Sequence, residues 1–395
     1  MLADAVSSYA DVRFGPRTLG DVKRRQQRLW RDLQAQFPRA PALKPCARTA
    51  FADIPVTDIA DFRARFEAYN TRGLSVAQAA EAAERAEAGE GVGLANGLHA
   101  GFSTGTGGGA RGLFVTSPAE RAAYTGRLLG RLVRLADLPG LRRIALCLRA
   151  PGRLYEGGHV RFFPLAGEGR DDAIAACDPQ ILVAPPQVLL DLAATGRAMP
   201  ALKHLYYGAE PLNAIERDFI TARLGRRPDP IYQATEGFLG APCRLGTLHL
   251  NEDAMIVERE PLGGDRFRPV VTDLLRRTQL VVRLRLDDIL RPATCACGSP
   301  LAAVEPVEGR VGDIWGWPGR TVFPGDVEAR VAPHVAPGHA WIATGHAGGI
   351  RLACRHDEDA PAIVDALAAF GQPVSHEAYD RDMDFPKRRH VRWAV

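Results

Sequence analysis

Between residues 143 and 236 short apolar runs alternate with amphipathic helical ones, and this alternation narrows the possible folds more than any other feature. The runs are RIALCLRA (143–150), HVRFFPL (159–165), ILVAPP (181–186), HLYYGAE (204–210) and PIYQATE (230–236). Between or before them lie SPAERAAYTGRLLGRLVRLADL, DDAIAACD, PQVLLDLAATG and NAIERDFITARLG. Four- to eight-residue apolar runs bounded by turn residues read as buried strands, and strands that alternate with helices imply parallel pairing in an α/β sheet.

The flanks have a different texture. Residues 17–38 carry Leu19, Val22, Leu29, Leu33 and Phe37 at helical spacing, closed by Pro38. TDIADFRARFEAYN, with Thr57 or Asp58 as cap, and the segment from Ser75 to Gly89 add two more helices. From about residue 245 strands alternate with turns such as PLGGDR, which predicts a β-rich subdomain. Beyond EGRVGDIWGWPGR the chain predicts one helix, APAIVDALAAFG, and a polar end, DFPKRRHVRWAV. The expected architecture is α/β. Residues 1–309 form a large N-terminal domain with mixed and parallel sheets flanked by helices: a helical segment 1–100, an α/β core 101–240 and a β-rich subdomain 241–309. Residues 310–395 form a small, mobile α+β C-terminal domain.

With 395 residues the chain is long enough for two such domains. Its 50 basic residues against 46 acidic ones are scattered rather than blocked, which disfavours nucleic acid as a partner. The N-terminus lacks a basic region followed by an apolar run, and no window reaches the roughly 18 apolar residues of a membrane span. A cytoplasmic location without membrane attachment is expected. Seven cysteines, sparse and odd in number, argue against a disulfide framework.

The stretch GFSTGTGGGARG (101–112) combines small residues with hydroxyls. Backbone N–H groups of such a loop converge on an anion, with Ser103, Thr104 and Thr106 adding donors, so phosphate is its natural guest. It is neither a Walker loop, which requires a lysine before a hydroxyl, nor a G-x-G-x-x-G fingerprint. The pair Thr235-Glu236 ends a predicted strand, where ligands of open α/β sheets gather, and offers hard oxygens for magnesium.

The loop STGTGGG, the GAEP at Gly208–Pro211, YQATE at Tyr232–Glu236, VRLRLDD at Val282–Asp288, EGRVGD at Glu308–Asp313 and a lysine near the C-terminus follow one another in the order found in adenylate-forming enzymes. From about residue 50 onward the chain resembles that superfamily, in particular the phenylacetate-CoA ligase branch and proteins related to coenzyme-adenylating synthetases. The resemblance implies that Ser103, Thr104, Gly105, Thr106 and Gly107 wrap the phosphates of ATP. Gly208, Ala209, Glu210 and Pro211 would border the adenine, with Tyr232 against the base. Thr235 would meet the α-phosphate, Glu236 magnesium and Asp288 the ribose hydroxyls, with Asp287 as its rival. Arg310 would follow at the hinge, and Lys387 would bridge carboxylate and phosphate. The implied activity is ATP-dependent activation of a carboxylic acid, expected to be aromatic, as its acyl-AMP, and transfer to coenzyme A or an acyl carrier protein. AMP transfer to a non-acyl acceptor, amide formation, and an inactive nucleotide-binding protein are the alternatives, and the resemblance leaves a homodimer open. Two departures stand out: the loop lacks the family's closing lysine and proline, with Arg111 as a substitute cation, and Gly312 replaces a common acidic residue at the hinge.

Cys243, His249, Cys295 and Cys297 form a Cys3His set that suits a closed, structural zinc site, and similar sets occur in relatives of the resembled branch. Arg149, Tyr155 and His159 follow a predicted strand, and Arg149 or His159 is a candidate to face the acid. Pocket size is expected to depend on residues near Tyr206, Tyr207, Ala234 and Phe238, and whether they meet around an aryl ring or a chain is decided by the tertiary structure.

Overall fold

The computed structural model describes residues 2–88, 90, 94, 97–102, 112–147, 158–208, 210–380 and 388–394. The predicted alternation becomes a five-stranded, fully parallel sheet in the order Val160–Phe163, Ile144–Cys147, Ile181–Ala184, His204–Tyr207, Pro228–Pro230. Alternate side chains enter opposite layers, as pleating requires. Leu182, Leu205 and Tyr207 pack with Ile174, Leu189 and Ile220 of the intervening helices. Ile181 and Tyr206 face the other way, toward Leu132 and Val133 at the end of the helix Pro118–Leu132. A sheet covered on both faces has no solvent side, which is why its strands read as unbroken apolar runs.

The run 230–236 does not stay one strand. Pro228–Pro230 completes the parallel sheet, and Tyr232–Ala234 turns away to pair antiparallel with Gly237–Pro242. That hairpin belongs to a second sheet with Leu248–Leu250 and Ala303–Val304. In a third sheet the hairpin Met255–Gly263 and Arg266–Asp273 turns at the predicted glycines and is flanked by Leu284–Arg285 and Thr57–Asp58.

The helix Leu19–Gln34 starts at a capping box of Thr18 and Asp21 and buries Val22, Leu29 and Leu33. Leu19, expected on the core face, is exposed because it sits in the first turn beyond the body of the protein. The segment at 57–70 forms a short helix, Ile59–Ala64, and a 3-10 turn, Phe66–Tyr69. A helix that the sequence analysis missed, Leu2–Arg13, buries no residue and lies against Pro118–Leu132. Gly126 permits this approach, since a Cβ there would sit 2.1 Å from the carbonyl oxygen of Ala5.

Residues beyond 314 have a core of their own around Trp315, Trp341, Val327, Leu352, Ile363 and Leu367. Its sheet runs Val374–Glu377, Gly349–Cys354, Trp341–His346, Val391–Trp393. The end expected to be polar therefore closes this sheet as a strand parallel to Trp341–His346, with Val391 buried. Its alternating Val-Arg-Trp pattern is that of a half-buried strand.

Candidate functional site

The parallel strands end at one edge, and the described motif residues gather there, as expected for an open α/β sheet. Gly208, Glu210 and Pro211 follow the strand His204–Tyr207. The neighbouring chain passes so close that a Cβ on Gly208 would lie 3.1 Å from the carbonyl oxygen of Ile231. Glu210 is buried.

Thr235 and Glu236 form the two-residue turn of the hairpin, because Ala234 pairs with Gly237. Gly237 adopts φ +155°, and a Cβ there would stand 3.0 Å from Asp273 Oδ2, so a side chain is disfavoured on both counts. Two residues that the sequence analysis did not single out pin this turn. Arg276 Nη2 donates to the carbonyl oxygen of Thr235 at 2.5 Å. Asp273 Oδ2 lies 3.5 Å from Arg276 Nε, and Asp273 Oδ1 accepts the backbone N–H of Leu275 at 2.8 Å. The available signal was the Asp-x-x-Arg spacing directly after the apolar run PVV, a polar pair where a strand ends.

Glu236 is only 4% exposed. Burial pushes its carboxyl above the usual carboxylate range, opposed by Arg63, whose Nη2 lies 3.6 Å from Oε1. Asp273 is likewise raised by burial, against the pull of Arg276. Tyr232 is buried and donates from its hydroxyl to Asp288 Oδ2 at 2.7 Å. Burial first, and Asp288 next, keep that phenol protonated. Asp287, the rival of Asp288, is engaged instead with Arg268. Asp288 stands opposite Arg310 in the short antiparallel pair Asp288–Ile289 and Gly309–Arg310. Tyr232, Glu236, Asp288 and Arg310 thus converge from three sequence regions.

Ser103, Thr104, Gly105, Thr106, Gly107, Arg111, Arg149, Tyr155, Ala209 and Lys387 lie outside the described residues. The strands flanking the glycine loop, His99–Phe102 and Leu113–Thr116, pair with each other. Arg388, the residue after Lys387, donates from Nη2 to the carbonyl oxygen of Pro211 at 3.4 Å.

Several expected positions fall elsewhere. His159 is exposed and precedes the edge strand Val160–Phe163, at the end of the sheet opposite the motif residues. Tyr206 donates to the carbonyl oxygen of Leu132 at 2.5 Å inside one core layer, and Tyr207 packs in the other. Phe238 packs against Tyr124, with ring centroids 6.1 Å apart. Tyr206 and Tyr207 fill cores because apolar runs in a doubly covered sheet are spent on its two packing layers.

The Cys3His set assembles. The ligand atoms of Cys243, His249, Cys295 and Cys297 all lie within 4.8 Å of one another, the one such His/Cys/carboxylate group among the described residues. Cys243 Sγ and Cys295 Sγ are 3.6 Å apart, and Cys297 Sγ is 3.4 Å from His249 Nε2. A zinc tetrahedron with bonds near 2.3 Å to sulfur and 2.0 Å to nitrogen has S–S edges of about 3.8 Å and S–N edges of about 3.5 Å, so the residues fit the ion. His249 Nδ1 bonds the carbonyl oxygen of Leu301 at 2.8 Å, which fixes the ring and leaves Nε2 facing the sulfurs. Backbone N–H groups of Leu245 and Ser299 point at Cys243 Sγ and Cys297 Sγ, at 3.3 and 3.4 Å.

No family model and no curated protein matches the chain by sequence. Solved structures do match by fold. A 2-hydroxyisobutyryl-CoA ligase in the postadenylation state, in complex with 2-HIB-AMP, aligns over 94% of this chain and 88% of its own at TM-score 0.60 and 15% identity. The same ligase in the thioesterification state, with 2-HIB-AMP and CoA, aligns over 94% and 88% at TM-score 0.51 and 17% identity. An acyl acid amido synthetase in complex with 2,4-DB aligns over 99% and 94% at TM-score 0.56 and 12% identity.

Proposed function

We propose that this chain, whose fold is that of the adenylate-forming enzymes, is an ATP-dependent ligase that activates a carboxylic acid as its acyl-AMP. The observation that carries the reading is the convergence of Tyr232, Glu236, Asp288 and Arg310 at the carboxyl ends of the parallel strands. The sequence resemblance assigns Tyr232 to the adenine, Glu236 to magnesium and Asp288 to the ribose of one bound nucleotide, and Arg310 to the hinge beside them.

In the first step a carboxylate oxygen bonds the α-phosphorus of ATP while the bond to the β-phosphate oxygen breaks and pyrophosphate leaves. Such a step calls for positioning and charge stabilisation rather than a protein nucleophile. Thr235 meets the α-phosphate, Asp288 holds the ribose, and Lys387 supplies the cation between carboxylate and phosphate. Glu236, a buried carboxylate with one arginine nearby, suits a magnesium ion held mainly through the phosphates, whose charge the ion would neutralise. Ser103 to Gly107 wrap those phosphates. In the second step a thiolate of coenzyme A or of a carrier phosphopantetheine attacks the acyl carbonyl and AMP departs. We assign an aromatic acid as substrate on the sequence resemblance.

Residues 310–395 act as a separate unit in this reading. Its own hydrophobic core, around Trp315, Trp341 and Leu352, supports this. Cys243, His249, Cys295 and Cys297 would hold a structural zinc, which would tie the strand Leu248–Leu250 to residues 295–297.

Acid-dependent exchange of labelled pyrophosphate into ATP, across aryl and aliphatic acids, tests the first step, with Lys387→Ala and Glu236→Ala alongside. Exchange with one acid class, lost in both variants, is expected; binding of ATP without exchange for any acid refutes the proposal. Similarity to an acyl acid amido synthetase over 99% of the chain favours amide formation as a second reading. Acyl-AMP consumption with coenzyme A against consumption with an amine separates the two.

A further inference from the structure

Arg388, Arg389 and His390 follow one another directly, yet each ends on a carboxylate from a different part of the molecule. Arg388 clasps Glu216 with Nη1 to Oε1 at 2.5 Å and Nη2 to Oε2 at 3.0 Å. Arg389 Nε donates to Asp313 Oδ2 at 2.8 Å, in the connection between the two cores. His390 Nδ1 lies 2.6 Å from Glu328 Oε1, on the helix Pro324–Val331.

The backbone changes allegiance over the same residues. The carbonyl oxygen of His390 accepts the N–H of Ala343, and Val391–Trp393 is a strand of the C-terminal sheet. The Arg388 side chain points the other way, onto the helix Ala214–Leu224 that follows Gly208–Pro211. Its side chain is 4% exposed and that of Glu216 6%. Glu216 is itself placed by the cap of that helix, accepting the backbone N–H of Asn213 at 3.4 Å while Asn213 Oδ1 accepts its own N–H at 3.0 Å.

We propose that Arg388 is a positioning residue: its pair with Glu216 locks the C-terminal unit onto the edge of the sheet that carries Gly208–Pro211, in the arrangement that serves adenylate formation. The pair joins the two units in the arrangement described here. If the C-terminal unit turns away, a bidentate, desolvated contact is lost and both charges must be rehydrated, so the pair biases the chain against leaving. Arg389 and His390 stay with the connection and the C-terminal helix, so of these three residues only Arg388 reaches the sheet edge; Arg266 ties the β-rich hairpin to Asp326 of the C-terminal helix at 2.6 Å, with Asp326 half exposed. The inference rests on the functional reading above, through the role of the residue before it, Lys387.

The test uses the full chain with Arg388→Ala, Glu216→Ala, the double variant and Arg388→Lys. Misplacing the attached segment is expected to lower kcat for pyrophosphate exchange by about 100-fold with little change in the KM for ATP. Transfer from supplied acyl-adenylate to the acceptor stays unchanged or quickens, which a general loss of structure would not produce. The double variant is no worse than either single one, because the two residues act as a unit. Arg388→Lys recovers part of the rate and stands in if the alanine variants do not fold. Unchanged exchange, or equal loss in both half-reactions with additive singles, overturns the proposal. Small-angle scattering reads the arrangement without activity: Arg388→Ala expands the particle if the pair is the lock, and an unchanged profile overturns it. If the wild type exchanges with no acid, the functional reading fails while the scattering still decides the role of the pair.

Discussion

Replacing Glu236 by glutamine separates a functional carboxylate from a structural one, because the two roles give opposite signs in stability. The side chain keeps its size and loses its charge. Glu236 is 4% exposed, whereas the Arg63 side chain, its ion-pair partner at 3.6 Å, is 37% exposed. The contact is too long for a hydrogen bond, and more than a third of the arginine side chain stays in water when its partner is neutral, although its Nε is buried. Burial dominates and raises the carboxyl, so ionised Glu236 destabilises the fold at neutral pH. The sign follows: with a folded-state pKa above the unfolded one, its contribution is present below the unfolded value and lost as pH rises through the folded one. Glu236→Gln is therefore expected to leave stability at pH 7 unchanged or raised by about 1 kcal/mol, an upward shift of roughly 2–4 °C or less in a chain of this size. The gain should shrink as pH falls toward 4. Pyrophosphate exchange should fall on the order of 100-fold, as when one group that stabilises transition-state charge is removed. Thermal unfolding at pH 4 and pH 7, with exchange kinetics on the same preparations, makes the check. A loss of more than about 2 kcal/mol at pH 7 would refute the reasoning, since Glu236 would then be holding the fold through Arg63.

Asp253 is 1% exposed and takes Arg127 at 2.8 Å and Arg131 at 2.6 Å, so Asp253→Ala strands two guanidinium groups and should cost about 3–5 kcal/mol in denaturant unfolding. Burial alone would raise its carboxyl, but Arg127 and Arg131 outweigh it and hold it lowered, so this stability is present above the unfolded pKa and lost as pH falls through the folded one; Asp253→Ala should be the less acid-sensitive protein. Elemental analysis should find one zinc per chain, lost in Cys295→Ser, with chelation lowering the unfolding midpoint; metal-free protein of undiminished midpoint would remove the zinc assignment. Gly345→Ala should destabilise the C-terminal core by about 1–3 kcal/mol, because a Cβ there would meet the Trp315 ring at 2.7 Å; calorimetry of the isolated variant would read it, and an unchanged transition would contradict the packing argument.

The parallel sheet was legible because its information is local: apolar runs of strand length, separated by capped amphipathic helices, leave one way to bury both faces. The Cys3His set was legible as two short pieces, Cys243 to His249 and Cys295 to Cys297, whose thiolate and imidazole chemistry pairs them across the intervening chain. The sequence alone also separated Thr235-Glu236 from ordinary strand residues, though not Asp287 from Asp288. What decides between those two carboxylates is which neighbour each meets across the sheet, Arg268 or Tyr232. Tyr206 and Tyr207 are adjacent strand residues that part to opposite layers, and only the packed helices show which core each enters. The helix Leu2–Arg13 buries nothing and has a weak pattern, so its place depends on the surface offered by Gly126. The Arg388–Glu216 pair lies furthest from sequence reasoning. It joins residues that chain separation hides, and a buried charge declares its partner only when the fold has withdrawn both from water.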